Sequence, residues 1–576
     1  MKFEDLSRYF LRLEATTKRL EMFDILSDAF SKADSRDIAK TVYLMQEELL
    51  PPFFNVQLGV ADRMVEKAIA DAYHVDLKVI KSSNKKTGDL GEVAEKYNGS
   101  DKKSSLSVSE VYDKIFDMTR LSGEGSVEAK INVLSSLLRK VSALESKYII
   151  RFVMGKLRLG VGEATIMEAL SKAKTGDRKF KPDLERAFNL CSDLGYVANV
   201  FYEKGEDGIR RFEVQVMRPI RPALAERLPS AEEIIKKLGK CAVDQKFDGF
   251  RAQVHKNGDD VKIFSRNLEE ITHFMPEIVA AVKRLNHRSM IFDGEALTYD
   301  EDTGTLYPFQ ITIQRKRKHN IEETSEKFPL RLFVFDMMLL DGRDLMNEPY
   351  IKRRELIDKT FGGDAAISKS RFIITDDSKE LTKFFDETIG AGLEGVVAKK
   401  LDAPYSAGAR NFNWIKIKRS YKSQLSDTID VVILGYFKGR GMRADFGVGA
   451  VLGGVYNDKR DVFETITKVG SGFSEAQFKE LRKMLDDVKV THKPARVDSM
   501  IEPDIWTEPR YVITVKADEI TRSPMHTCGM KDEVGYALRF PRAVSFVRTD
   551  KRPEDSNTTK DIVEMFNNQK KVELKD

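Results

Sequence analysis

Lys246-Phe247-Asp248-Gly249-Phe250-Arg251 decides how the rest of this chain is read. Val243 leads into the stretch and alternating Ala252, Val254 and His255 follow it, so it reads as strand, turn, strand with a lysine held at the turn. A lysine amine is mostly protonated in water, with a pKa of about 10.4. Beside other cations and partly desolvated it loses that proton more easily and attacks phosphorus or carbonyl centres. Gly249 lets the backbone approach a ligand closely, and Arg251 can grip a phosphate or carboxylate in fork geometry. The same hexapeptide also fits a plain surface hairpin, because Asp-Gly is a common hairpin turn. The rest of the chain separates the two readings.

At 576 residues the chain is too long for one core and points to about three or four domains. A hydrophobic content of 41% with 32% charged residues fits a soluble, folded protein. The net charge of +5 excludes a histone-like polycation, so a nucleic-acid partner would have to meet basic residues clustered on one surface. Cys191, Cys241 and Cys528 are far apart and form no Cys-x-x-Cys pair, which argues against a disulfide framework and a zinc ribbon. His526-Thr527-Cys528 has no second pair nearby to complete a zinc site. Acids stand near the N-terminus where a signal peptide needs a basic then apolar run, and no apolar stretch reaches membrane-spanning length. The expectation is a cytoplasmic protein, nucleoid-associated in a prokaryote, with no membrane partner.

The first 210 or so residues read as helical. From Val127 the apolar positions Ile131, Leu134, Leu138 and Val141 recur at helical spacing, and Ser142-Ala143-Leu144-Glu145 has the form of a capping box. Gly155–Gly162 then mixes three glycines with Lys156 and Arg158. That segment is either a phosphate-binding loop between helices or a plain connector with solvated charges. Polar, Lys- and Ser-rich Lys81–Ser105 reads as a loop. Arg218-Pro219-Ile220-Arg221-Pro222 breaks the helical pattern and marks a boundary. Short strands (Val261–Ser265, Arg331–Phe335, Gly395–Lys399) then mix with helices Ala231–Leu238 and Ser378–Ile389. After a polar stretch at Lys416–Asp427 come strands Val431–Phe437, Ala450–Tyr456, Val462–Lys468 and Arg510–Val515, with little helix until Asp561–Gln569. Short strands between Gly, Asn and Asp turns predict a small barrel.

Partners for a lysine–phosphorus reaction follow Lys246 in order. Ser265-Arg266-Asn267 closes the second strand after the lysine and supplies a cation. Phe292-Asp293-Gly294-Glu295-Ala296 places two carboxylates in a strand-turn, and Val334-Phe335-Asp336 ends an apolar strand with an aromatic face. Leu393-Glu394-Gly395 offers a carboxylate before a buried strand. In Trp414-Ile415-Lys416-Ile417-Lys418 the alternation sends both lysines to one face. Taken singly, each of these is more often a solvated charge or a core ring. Arg315-Lys316-Arg317-Lys318-His319 reads as a DNA-backbone contact, a solvated face or a nuclear-localisation run.

This ordered set resembles the covalent nucleotidyltransferases, and most closely the ATP-dependent DNA ligases of the archaeal and eukaryotic replicative kind. The resemblance covers nearly the whole chain. It implies a multidomain fold: an all-α DNA-binding domain over 1–216, an α+β adenylation domain with antiparallel sheets over 217–417, and a C-terminal β-barrel of the OB-fold type over 418–576. It further implies that Lys246 takes AMP from ATP as a phosphoramidate and that the backbone at Asp244 contacts adenine. Arg251 and Arg266 would lie around the nucleotide phosphates and ribose, Glu295 would hold the ribose, and Phe335 would stack on adenine. Arg410, Lys416 and Lys418 would hold ATP phosphates, and Glu394 would support Mg²⁺ or another divalent metal, or the lysine itself. Arg539-Phe540-Pro541-Arg542 and Arg548-Thr549-Asp550-Lys551 look like the motif that orients pyrophosphate. The implied partner is nicked duplex DNA, met by a monomer in replication, repair and recombination. A sliding clamp is a partner in this family, and no unambiguous clamp-binding peptide is visible.

Two other readings share parts of the pattern. An RNA ligase or capping guanylyltransferase has the same lysine motif but no need of a long helical N-terminal region. A non-catalytic nucleic-acid binding protein could keep the fold, yet every expected reactive residue is present here. An NAD-dependent ligase is disfavoured because its four-cysteine zinc element is absent.

Overall fold

The apolar spacing after Val127 forms a helix, Ser126–Leu138, which buries Ile131, Leu134 and Leu138 and leaves Val127 in solvent. Ser142 caps the next helix, Ala143–Val153: its hydroxyl accepts from the Glu145 N–H, and the Glu145 carboxylate accepts from the Ser142 N–H at 2.7 Å. Our computed structural model describes residues 1–16, 18–99, 104–157, 159, 161–228, 230–299, 328–418, 428–439, 447–548 and 551–568. They form two compact units. The first comprises Met1–Glu226, Ile234–Ser378 and Val397–Ile415, and the second Arg227–Glu233, Lys379–Val396 and Lys416–Asp576.

Helices run through the first unit from Phe3–Glu14 to Leu194–Arg210. Over residues 81–99 the expected loop Lys81–Ser105 is helical instead. It holds most of the helices Leu77–Thr87 and Leu90–Asn98, capped by Asp76 and Asp89 and stopped by Gly88 and Gly99. Their lysines and serines cover an outer face, while Ile80, Leu90, Val93 and Ala94 are buried beneath. Composition described that face and hid the buried stripe.

Two sheets follow. One is ordered β1 (Leu224–Arg227), β11 (Arg410–Lys418), β10 (Gly395–Lys400), β2 (Cys241–Lys246), β9 (Phe372–Thr375). The other runs β4 (Asp260–Phe264), β3 (Phe250–Asn257), β5 (Ser289–Thr298), β6 (Leu330–Leu340), β7 (Arg343–Asp344), with β8 (Ile367–Lys369) also on β6. The expected antiparallel arrangement needs correction, because the sheets are mixed. β8 lies parallel to β6, with Leu332 opposite Ile367, since helix Tyr350–Thr360 carries the chain back before β8 begins. Nor are Phe292–Ala296 and Val334–Asp336 a turn and a strand end. Both lie inside long paired strands, β5 and β6, whose register shifts between Asp293 and Gly294.

In the second unit β12 (Ile429–Phe437), β13 (Ala450–Asn457) and β14 (Val462–Val469) form an antiparallel meander. β12 pairs with β18 (Val512–Lys516) along its first half and with β17 (Ile505–Thr507) at Gly435 and Tyr436, and β18 pairs in turn with β21 (Arg542–Arg548). The sequence reading gave this region little helix. It missed Glu475–Asp486, a helix capped by Ser474 and Gln477 that buries Phe478, Leu481 and Leu485. Among the described residues no helix is long and apolar enough to cross a membrane.

Candidate active site

Lys246 is the last residue of β2, and after the three residues Phe247–Gly249 β3 begins in a different sheet. β2 pairs with β9, whereas β3 pairs with β4 and β5. The surface-hairpin reading therefore fails, and Lys246 stands where the chain crosses between sheets. Phe247 anchors the crossing by stacking on Phe333 of β6, ring centroids 4.3 Å apart. The Gly249 N–H donates to Glu295 Oε1 at 3.3 Å. A Cβ on Gly249 would come 2.4 Å from the Ala296 carbonyl oxygen, so this glycine serves close approach to β5. The Lys246 amine, half-buried, donates a long 3.4 Å bond to the Phe247 carbonyl.

Strand alternation sorts β3 into two faces. Ala252 and Val254 join Phe292, Leu332, Val334 and Ile357 in an apolar core. Arg251, Gln253 and His255 alternate with them. The Arg251 guanidinium donates to Asp293 Oδ2 at 2.6 Å, to the Tyr405 hydroxyl at 3.2 Å and to the Ala223 carbonyl at 3.1 Å. Burial works against its charge, but Asp293, Tyr405 and Glu295 together outweigh burial and hold its pKa above the ordinary arginine value. Arg251 lies 5.5 Å from the centre of the half-buried Phe335 ring. In register, Arg251 faces Glu295 and Glu295 faces Phe333, so the lysine crossing, a carboxylate and an aromatic face share one neighbourhood.

Asp244 is buried, and its side chain has a structural task. It accepts from the Tyr350 hydroxyl at 2.6 Å and lies 3.0 Å from the Lys399 amine and 3.4 Å from the Arg354 guanidinium. The Lys399 amine sits within 5 Å of the Phe335, Tyr350 and Trp414 ring centres and donates to the Phe335 carbonyl. Burial pulls its pKa below the ordinary lysine value despite Asp244. By basicity alone it would rival Lys246 as a nucleophile. Its side chain is 2% exposed and committed to Asp244, whereas Lys246 is only half-buried. Alongside lies a buried Arg353–Asp336 pair at 2.7 Å.

Two other expected site residues of the first unit are not drawn into this cluster. Arg266 stands exposed in the turn after β4 and Arg410 is exposed at the start of β11. Among the described residues neither makes a hydrogen bond or ion pair with the others. In the second unit Lys416 and Lys418 flank buried Ile417, and the Lys418 amine meets the Glu394 carboxylate. Arg539 pairs with Glu519 at 2.8 Å, Arg542 is exposed at the start of β21, and Arg548 and Lys551 lie beside Asp430. Thr549, Asp550, the basic run Arg315–His319, and Arg158 and Gly160 of the glycine-rich segment lie outside the described residues. Tyr350, Arg353, Arg354, Lys399 and Tyr405 were missed as site residues. Lys399 was readable as the alternate of Val397 at the end of a buried strand, but nothing in the pattern of helix Tyr350–Thr360 marks its arginines as buried.

His255 gives the first unit an acid sensitivity. Its ring is fully buried, and burial pushes its pKa from 6.5 down to about 3. Below the unfolded value the unfolded chain takes a proton that the fold excludes, so stability present above pH 6.5 is lost as the pH falls toward 3. His255→Asn removes this titration. Denaturant melts down the acid range should show the parent losing about 1.4 kcal/mol per pH unit more than the variant. Parallel slopes would contradict it.

Comparison with known proteins agrees with this geometry. The chain matches the ATP dependent DNA ligase domain over residues 222–418, the DNA ligase N terminus over 2–171 and the ATP dependent DNA ligase C terminal region over 445–551. It is 53% identical over 578 residues to "Probable DNA ligase" of Dictyoglomus thermophilum, covering 100% of this chain and 99% of that protein. It is 40% identical over 593 residues to "DNA ligase 2" of Thermofilum pendens, covering 100% and 98%. A solved structure described as "Pmar-Lig_PreS3" shares the fold at 19% identity, with a TM-score of 0.55 over 94% of this chain and 99% of that one. The chain belongs to the ATP-dependent DNA ligase family. Neither the RNA-ligase or capping reading nor the non-catalytic one is favoured.

Proposed function

We propose that this enzyme seals nicks in duplex DNA through an AMP carried on Lys246. The amine, once deprotonated, attacks the α-phosphorus of ATP; an N–P bond forms and pyrophosphate leaves. A 5′-phosphate oxygen at the nick then attacks the same phosphorus, freeing the lysine and leaving AMP on the DNA. The 3′-hydroxyl finally attacks the 5′-phosphate, forming the phosphodiester and releasing AMP. The carrying observation is the position of Lys246 at the crossing between sheets, with Glu295 holding the Gly249 N–H beside it. Phe335 would stack on adenine, Glu295 would hold the ribose, and Arg251 would lend its charge to the phosphates while anchored by Asp293. Arg266, Arg410, Lys416 and Lys418 would supply further cations, and exposed Arg542 would orient pyrophosphate. With α-labelled ATP, label should appear first on protein in an acid-labile bond, then on the nicked strand, then as AMP. Joining that proceeds with no label ever on the protein would overturn the scheme.

A divalent cation would neutralise charge on the phosphates. Glu394 is a suitable hard oxygen donor, but it is a single carboxylate and Lys418 occupies it, so no step is routed through the metal. The division at about 1–216, 217–417 and 418–576 is supported by the change from helices to sheets and then to the curled second-unit sheet. The switch of β12 between β18 and β17 at Gly435 favours an OB-fold for the last part.

The helical region would grip duplex phosphates, with Gly155–Gly162 as one contact. Lys156, exposed after helix Ala143–Val153, is a cation of that segment. Lys156→Ala should lower the salt slope of nick binding by about one and leave adduct formation from ATP unchanged. An unaltered slope across a salt titration would remove this segment from the interface.

A further inference from the structure

We propose that Gln253 and His255 are positioning residues that key the helical region to the active face of β3. The proposal rests on the reading of Lys246 and Arg251 given above. Between the last helix of that region and β1, the chain crosses residues 217–223 as a strap. The backbone polar groups of Met217, Ile220 and Ala223 in this strap find partners on β3 or beside it. The Met217 N–H donates to His255 Nδ1 at 3.0 Å, which places the ring proton on Nε2, facing Gln253 Oε1 at 3.0 Å. The same Oε1 accepts from the Ile220 N–H at 2.6 Å. Gln253 Nε2 donates to the Ile220 carbonyl at 3.0 Å and to Asp293 Oδ1 at 3.3 Å. Asp293 Oδ2 takes Arg251 and the Tyr405 hydroxyl, both at 2.6 Å, and Tyr405 receives the Ala223 N–H at 3.1 Å. The ladder closes where Arg251 donates to the Ala223 carbonyl.

The outer side of the strap is tied to the helices. Arg218 pairs with Asp193 at 2.6 Å and lies 4.1 Å from the Tyr196 ring centre. The Ser192 hydroxyl donates to the Pro219 carbonyl at 2.6 Å, the Arg221 N–H to the Asn189 carbonyl at 2.8 Å, and Arg221 pairs with Glu163. Met217 is held at φ 69°, which an unanchored methionine avoids. Gln253 and His255 are 4% and 0% exposed, and their polar atoms are taken up by this junction. A displacement of the helical region on DNA therefore reaches Arg251 through fixed hydrogen bonds. Such placement matters to rate, because small misalignments of reacting groups are costly.

The test uses the full-length chain, with variants compared below their own melting temperatures. Gln253→Met removes both ends of the ladder. His255→Asn keeps an acceptor for Met217, and His255→Gln keeps only the donor side. We measure nick affinity and single-turnover sealing by the AMP-charged protein at saturating nick. Gln253→Met and His255→Gln should slow sealing by about tenfold to a hundredfold, with nick affinity altered by less than about threefold and His255→Asn nearer the parent. If Gln253→Met does not fold, the two histidine variants decide. Folded variants that seal at parental rates, or that lose nick affinity while sealing normally at saturation, overturn the proposal. Lys246→Ala is the control: an adduct formed without Lys246 would condemn the site reading, whereas a dead Lys246→Ala beside parental ladder variants would condemn this inference alone.

Discussion

Lys246→Ala is expected to abolish the labelled adduct and the sealing of an ordinary nick. A nick already carrying AMP on its 5′-phosphate should still be joined, because the covalent step is behind it. Lys246→Arg should fail as completely as alanine, since a guanidinium stays protonated and cannot attack phosphorus. Both variants should fold as the parent does, because the crossing is anchored by Phe247 stacked on Phe333 and by the Gly249 N–H on Glu295. The measurement is adduct formation in a single turnover beside sealing of the pre-adenylylated nick. An alanine variant that still forms adduct would sink the assignment.

The second large effect is on stability. Asp244 is the counter-charge for Lys399 and a neighbour of Arg354, all three about 2% exposed. Removing it strands the buried Lys399, while Arg354 keeps Asp358 and Ser370, and breaking such a buried pair costs about 3–5 kcal/mol. Asp244→Ala should lose that much in denaturant unfolding of the full-length protein, with Lys399 pushed further toward its neutral form. Asp244→Ala combined with Lys399→Met should recover part of the loss, because the stranded charge is gone. A shift under about 1 kcal/mol for Asp244→Ala would mean that Lys399 is neutral in the folded parent.

Much of this architecture was legible because it is written locally. The capping box at Ser142, the period-3.6 stripe from Ile131 and the alternation of β3 and β6 each depend on residues within a turn or two of one another. The ordered motifs gave Lys246 its context. Illegible were the features that depend on chain brought from afar. Nothing around Asp248-Gly249 states that β2 and β3 part into different sheets, since that depends on β9 and β5. Arg251 looked like a phosphate clamp, and only the fold shows Asp293 and Tyr405 already holding it. Arg353 and Arg354 read as surface charges on a helix, yet both are buried because Asp336, Asp244 and Ser370 await them. Lys81–Ser105 was different: its caps, Asp76, Gly88, Asp89 and Gly99, were readable, and composition was weighed above them.

The most direct test of the central claim is to find where AMP is attached. The full-length protein, charged with ATP and digested at neutral pH to preserve the phosphoramidate, should yield one AMP-bearing peptide by mass spectrometry. The account predicts that fragmentation places the AMP on Lys246. AMP on Lys399, the buried lysine of lowered pKa, or on any other residue would contradict it.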